Sequence, residues 1–269
     1  MDKTLFELKN MKAREKNEFI NNISKVLADD FELTPDKTLE HLPVFKHKKT
    51  QMEFVYIPSG SYKMGLSIKE EKAAEELYSP IPATLENMRP LKNLTVKSFL
   101  VSRTPVTNII LSKYSKVDYL DLQKPFYPAY VDRSVVDETM KILNCRLIFE
   151  NEWEYICRAD TKTLFVWGDD LPLDLGGWLS LDFSDLQNLT ANPFGLYGMY
   201  SGEWCYDYWR ESYNLPFPKH STNFVVRGGG SVFWPWQDEE WVWCMSAMRC
   251  PSKFTIDEKA AFRLIYDLN

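Results

Sequence analysis

Two thiols and a hydroxyl stand close together near residue 250: Cys244, Ser246 and Cys250. Thiolates are the soft ligands that copper(I) selects, and an ionised thiol is also a nucleophile. The stretch that carries them, RGGGSVFWPWQDEEWVWCMSAMR (Arg227 to Arg249), also holds Trp234, Trp236, Trp241 and Trp243, four of the chain's nine tryptophans. The pairs 234/236 and 241/243 are two residues apart, so extended backbone turns both rings of a pair to one face. Two readings stand side by side. The rings are the wall of a core, because Trp is large and fills loop-rich interiors. Or they line a groove rimmed by Gln237, Asp238, Glu239 and Glu240, suited to a peptide, a sugar or an amine. If the segment is a strand, Cys244, Ser246 and Cys250 share a face and line one groove. A buried Cys is otherwise an inert small apolar residue, so Cys244 is a weak candidate metal ligand.

The chain around this segment has 269 residues, 45% hydrophobic and 26% charged, which is enough to bury a large core. Its aromatic share of 14% favours many turns with rings filling awkward volumes. A net charge of −6 argues against a general nucleic-acid surface. No apolar run approaches the ~20 residues of a membrane helix. The opening MDKTLFELKNMKAREK lacks the apolar core of a signal peptide. Five cysteines, an odd number without a CxxC pair, point to reduced thiols and a cytoplasmic location. Histidines occur only at 41, 47 and 220, so a three-histidine metal site is not expected.

Several elements must position these residues. Leu5, Leu8, Met11, Phe19, Ile20, Ile23, Val26, Leu27 and Phe31 recur at helical spacing and predict helix over residues 1–33, interrupted at the polar KAREKNE. This arm either packs on the main domain or meets a partner. LTPDKTLEHLPVFKHKK reads as a connector and MEFVYIPSGSYKMG as a hairpin. IKEEKAAEELYSPIPATLENMRP reads as a charged surface insertion. LTVKSFLVSRTPVTN predicts one strand, with Leu94, Val96, Phe99 and Val101 on alternating faces, then a helix over IILSKYSKV. SVVDETMKILN and ENEWEYICRAD predict two further helices. In the second, Glu154 and Arg158 are spaced to pair. From residue 165 onward only short strands and turns are expected.

Five ordered stretches carry a resemblance: FVYIPSGSYKMG, FLVSRTPVTN, RLIFENEWEYICRA, NPFGLYGMYSGEWCYDYW, and RGGGS…SAMR…AFRLIYD. Together they resemble the formylglycine-generating enzyme, or sulfatase-modifying factor, superfamily, over about residues 50–269. The resemblance implies a C-type-lectin-like α+β domain with a small twisted sheet, few helices and much irregular but packed structure. Gly60 and Gly65 then suit turns with positive φ. Thr107 and Asn108 can cap a helix, and Gly228, Gly229 and Gly230 allow close backbone approach.

Members that oxidise sulfatase cysteines bind copper(I) through two thiols five positions apart, the second three residues before the Arg of an Ala-x-Arg motif. Here that motif is Ala247-Met248-Arg249, and the thiol positions fall on Trp241 and Ser246. The Pro-Thr that caps the family's EWEY helix is Ile148-Phe149, losing a cap worth about 0.5–2 kcal/mol. The family's calcium loop is shortened to SGEW (201–204), so the six to eight oxygens of a calcium site are not supplied. The sequence-based expectation is an N-terminal helical extension and linker over 1–45 and a formylglycine-generating-enzyme-like domain over 46–269. The domain is read as a pseudoenzyme that binds a ligand or protein in an aromatic groove of Trp234, Trp236, Trp241 and Trp243, with Arg249. Its partner is a protein, a peptide or a small ligand, and neither nucleic acid nor a membrane. No cofactor is expected. The alternative is a divergent oxygen-dependent oxidase with a rearranged thiolate site at Cys244, with Cys250 or His220, and only then copper(I).

Overall fold

The computed structural model describes residues 1–77, 85–170, 176–229, 241–254 and 258–268. The chain opens with α1 (Leu5–Asn10) and α2 (Ala13–Val26), separated at Met11 and Lys12. Thr4 and Glu7 form a reciprocal cap on α1: Thr4 Oγ1 accepts from Glu7 N at 3.2 Å and the Glu7 carboxylate accepts from Thr4 N at 2.8 Å. Leu5, Leu8, Ile20 and Ile23 point inward, and Phe19 meets Tyr56 edge-on at 5.6 Å. The arm is packed on the sheet.

Phe31 does not close a helix; it opens β1 (Phe31–Lys37), which pairs with β2 (Pro43–His47), which pairs with β3 (Glu53–Ile57). The expected connector is therefore a hairpin, and the 45/46 position falls inside β2. Pro35 obscured β1 as a sequence pattern. It is tolerated because β1 is an edge strand whose register shifts between Leu33 and Lys37.

The expected hairpin over 52–65 is likewise absent. β4 (Gly60–Met64) leaves the main sheet and pairs with β5 (Lys92–Val96), after α3 (Ile68–Leu77). β6 (Phe99–Ser102) is a second strand, beside β3, so the single strand expected over 94–101 is two strands in different sheets. Gly60 does not have positive φ; it is small because a Cβ there would meet Tyr155 Oη at 2.5 Å. Gly65, at φ 105°, does need it.

α4 (Asn108–Leu111) is one turn, shorter than expected, and Thr107 makes no side-chain cap; Asn108 Nδ2 donates instead to the Lys124 carbonyl. α5 (Arg133–Leu143) is capped by Asp132 and buries Val136, Met140 and Leu143. α6 (Glu150–Arg158) buries nearly its whole length. β7 (Glu203–Tyr208), β8 (Phe224–Arg227) and β9 (Arg249–Pro251) form a three-stranded sheet, and β10 (Ile265–Asp267) joins the first. The main sheet runs β1-β2-β3-β6-β10, with every pair antiparallel. Its buried face and α6 share one large core, while Cys244, Met245, Ala247, Met248 and Cys250 pack in a second, smaller one. Among the described residues no helix is long and apolar enough to cross a membrane.

Candidate functional site

The helix α6 carries a row of charges into the interior. Glu70 on α3 pairs with Arg158 at 2.7 Å, and Arg158 with Glu154 at 2.9 Å. Glu154 pairs with Arg227 at 2.7 Å, Arg227 approaches Glu150 at 3.4 Å, and Glu150 meets Arg249 at 2.5 Å. Three carboxylates alternate with three guanidiniums, all six buried. Alternation leaves no uncompensated charge in a low-dielectric interior. Burial pushes the Glu154 carboxyl up, but Arg158 and Arg227 outweigh it and hold the group below its usual value. The expected Glu154–Arg158 pair is thus one rung of a longer ladder joining α3, α6, β8 and β9.

Arg249 ends that ladder. Its other donors go to the carbonyls of Asn87 and Arg210, and its plane lies over Trp209 at 4.3 Å and Tyr213 at 4.7 Å. At 1% exposure it is enclosed, so its guanidinium holds the fold and does not face a groove.

The segment 241–248 is not a strand. Trp241–Cys244 is a 3-10 turn and only Arg249–Pro251 is extended, so the shared strand face expected for Cys244, Ser246 and Cys250 does not exist. All three are buried. Gly228 and Gly229, at φ 86° and 67°, let β8 leave its sheet against Met199 and Trp243; a Cβ on Gly228 would meet Met199 O at 2.6 Å. Trp243 packs against the smaller core, whereas Trp234, Trp236 and Gly230 lie outside the described residues.

All five cysteines are free thiols. Burial pushes the Cys250 thiol up to about 12, with Arg227 and Arg249 opposing the rise. Burial raises Cys244 further, and the nearby Cys157 thiol adds to it. Cys157, on α6, is itself raised by burial to about 12, and Ser246 lies beside it and opposes the rise. Cys157 is a residue the sequence did not single out. His220 is exposed at the surface, unlike Cys244. Among the described residues no three His, Cys, Asp or Glu side chains gather as a metal site.

The missing Pro-Thr cap of α6 has a replacement from far along the chain. Asp207 Oδ2 on β7 accepts from Glu150 N at 2.6 Å, and Glu152 accepts from Phe149 N at 2.9 Å. Burial, then the neighbouring Glu150, push the Asp207 carboxyl up to about 6.

Beside this cap lies an open cleft of about 760 Å³ between α5 and the β7–β8 pair. Phe149 packs edge-on to Tyr206 at 5.0 Å, with Arg146 over the Phe149 ring at 4.9 Å. Tyr208 packs on Phe224 at 5.0 Å, with Arg133 over that ring at 4.0 Å. Phe217 completes the aromatic wall. Sequence reasoning missed this site because its walls come from residues 133–149 and 206–224; only the run of rings in CYDYW signalled it.

No family model matches the sequence. A serine/threonine-protein kinase, pkn1, of Chlamydia caviae is 25% identical over 179 residues, covering 52% of this chain and 29% of that protein. The chain therefore spans less than a third of that relative, whose name describes a longer protein. The structure of PvdO from Pseudomonas aeruginosa superposes with a TM-score of 0.61 at 22% identity, covering 84% of this chain and 98% of that one. Treponema denticola variable protein 1 gives 0.53 at 16%, covering 80% and 96%. Identities this low speak for fold alone. The chain has a mixed α+β fold of few helices and small antiparallel sheets, related to the formylglycine-generating-enzyme-like fold.

Proposed function

We propose that this chain is a ligand- or protein-binding domain on a C-type-lectin-like variant of that fold, without the thiolate oxidation chemistry of formylglycine-generating enzymes. One observation carries the reading: the two positions assigned to thiolates by resemblance are Trp241, in a 3-10 turn, and Ser246, buried beside Cys157. The nearby Cys244 and Cys250 lie at the end of the 3-10 turn and on β9, both buried, and so stand at neither of those positions. Trp234, Trp236, Trp241 and Trp243 remain the proposed aromatic ligand face; Arg249 leaves it for the ion ladder. We propose a cytoplasmic location, which the odd number of cysteines without a CxxC pair supports. The oxidase alternative has one observation in its favour, the presence of three buried free thiols, Cys157, Cys244 and Cys250.

Anaerobic copper(I) competition on the wild type, Cys244→Ser and Cys157→Ser separates the two. The binding-domain reading expects no tight one-to-one binding above the variants. Tight binding lost in both variants would overturn it and make oxygen uptake with thiol peptides the next assay.

A further inference from the structure

The cleft beside α5 does not end at Arg146. A second hollow of about 270 Å³ shares Asn144, Cys145 and Arg146 with it and continues to Tyr266 and Asp267 on β10. The two adjoin through these shared residues and are together called the trough. Both are open to solvent, which favours an extended chain over a compact small molecule, since a compact ligand is enclosed by a deep pocket.

Its chemistry is specific. Two ring pairs, Phe149/Tyr206 and Tyr208/Phe224, stand along one wall and make two separate apolar seats. Tyr206 and Phe217 are more than half exposed, at 56% and 54%, so the wall extends an uncovered aromatic edge to solvent. The two guanidiniums that lie on these rings are already matched. Arg133 pairs with Asp137 at 2.9 Å, and Arg146 pairs with Glu152 at 2.7 Å and with Asp267 at 2.8 Å. The lining acid Asp207 is engaged by the Glu150 amide. Lys141, one turn along α5 from Asp137, is exposed and makes no ion pair among the described residues. It is the cation left over in the trough. Asn144 sits at the middle, where both hollows meet, in the left-handed region at φ 53°, with its side-chain amide exposed. An amide in that place can both donate to and accept from a passing backbone.

We propose that this trough binds an extended segment of a partner protein in which bulky apolar side chains alternate with carboxylates. The apolar side chains enter the two ring seats, one carboxylate meets Lys141, and Asn144 bonds the backbone between them. The proposal rests on the binding-domain reading, and its test reads peptide binding where the test of that reading reads copper(I).

Fluorescence anisotropy on the full chain tests it with two labelled heptapeptides, one alternating Tyr, Phe and Leu with Glu and Asp, the other with Lys replacing every acid. The expected result is saturable binding of the acidic peptide, at least about tenfold tighter than the basic one, as opposite-charge placement at a desolvating surface gives. Lys141→Glu should weaken the acidic peptide about tenfold and Tyr206→Ala about fivefold, with thermal melts unchanged for Lys141→Glu. Absence of acidic-peptide binding, equal binding of the basic peptide, or binding indifferent to both substitutions would each overturn the proposal. The copper titration reads none of these, so a failed trough and a failed binding-domain reading are told apart.

Discussion

The ion ladder under α6 and the trough beside α5 use the same residue types to opposite ends. Both combine arginine, carboxylate and aromatic rings. In the ladder every guanidinium is enclosed, and Arg227 and Arg249 are at or near zero exposure. In the trough the arginines lie on rings at the surface, and Arg146 keeps 24% of its side chain in water. The ladder's charges are spent on one another and its spare donors mostly on backbone carbonyls, with Arg227 Nε left without a hydrogen bond but buried away from any ligand. The trough keeps a cation and an amide in reserve. Residue type therefore says little about function here; what separates the two is whether bonding capacity has been used up.

The largest effect that sharpens the contrast is expected at Arg227. Arg227→Ala leaves Glu154 and Glu150 facing each other without their shared cation, a loss on the order of 3–5 kcal/mol in urea unfolding. A loss under about 1 kcal/mol would mean that the ladder is not the closed system its geometry describes. Thiol labelling comes next. A rise from 9.0 to about 12 cuts the Cys250 thiolate fraction roughly a thousandfold at fixed pH, so native labelling should be slower than unfolded labelling by at least that factor. Fast labelling of Cys250 or Cys244 would move this segment to the reactive side of the comparison.

Asp207 links the two regions, since it lines the trough and caps the ladder's helix. Burial, then Glu150, raise its folded value from 3.8 to about 6. A raised acid binds more protons folded than unfolded between those values, so its contribution to stability falls as pH climbs from about 4 to 6. Asp207→Asn should flatten that fall, read as the difference between the two proteins' unfolding free energies across this window. An unchanged pH slope would show that the carboxylate is solvated. The smallest effect belongs to Lys141→Glu, within about 0.5 kcal/mol of wild type because the side chain is exposed and unpaired. A larger loss would place Lys141 in the framework and weaken the distinction.

What could be read from the sequence follows from how local each signal is. α5 and α6 were legible because Val136, Met140 and Leu143 recur at helical spacing and Glu154 and Arg158 lie one turn apart. The ordered motifs pointed to the fold, and two distant structures share it. β1 was illegible because its exposure pattern, one buried residue followed by mostly exposed ones, is that of an edge strand and carries no alternation. The loss of a cap at Ile148-Phe149 was visible, but its replacement by Asp207, 57 residues away, was not. Arg249 read as a ligand-facing residue because a charged side chain next to tryptophans looks exposed until its partner, Glu150, is known. The trough needed three distant parts of the chain to converge, and no local pattern carries that.

The bonds that close this architecture span the sequence widely. Leu264 N donates to Ser102 Oγ across 162 positions, and Arg249 Nη1 to the Asn87 carbonyl across the same span. Contacts this remote cost loop entropy before they return any enthalpy, which slows the approach to the native state. Until β10 arrives, β6 presents an unsatisfied edge built of Phe99, Leu100 and Val101. A nascent chain of this sequence therefore spends its earliest moments with an adhesive strand exposed, and its yield in a cell depends on what shields that edge while the rest is made.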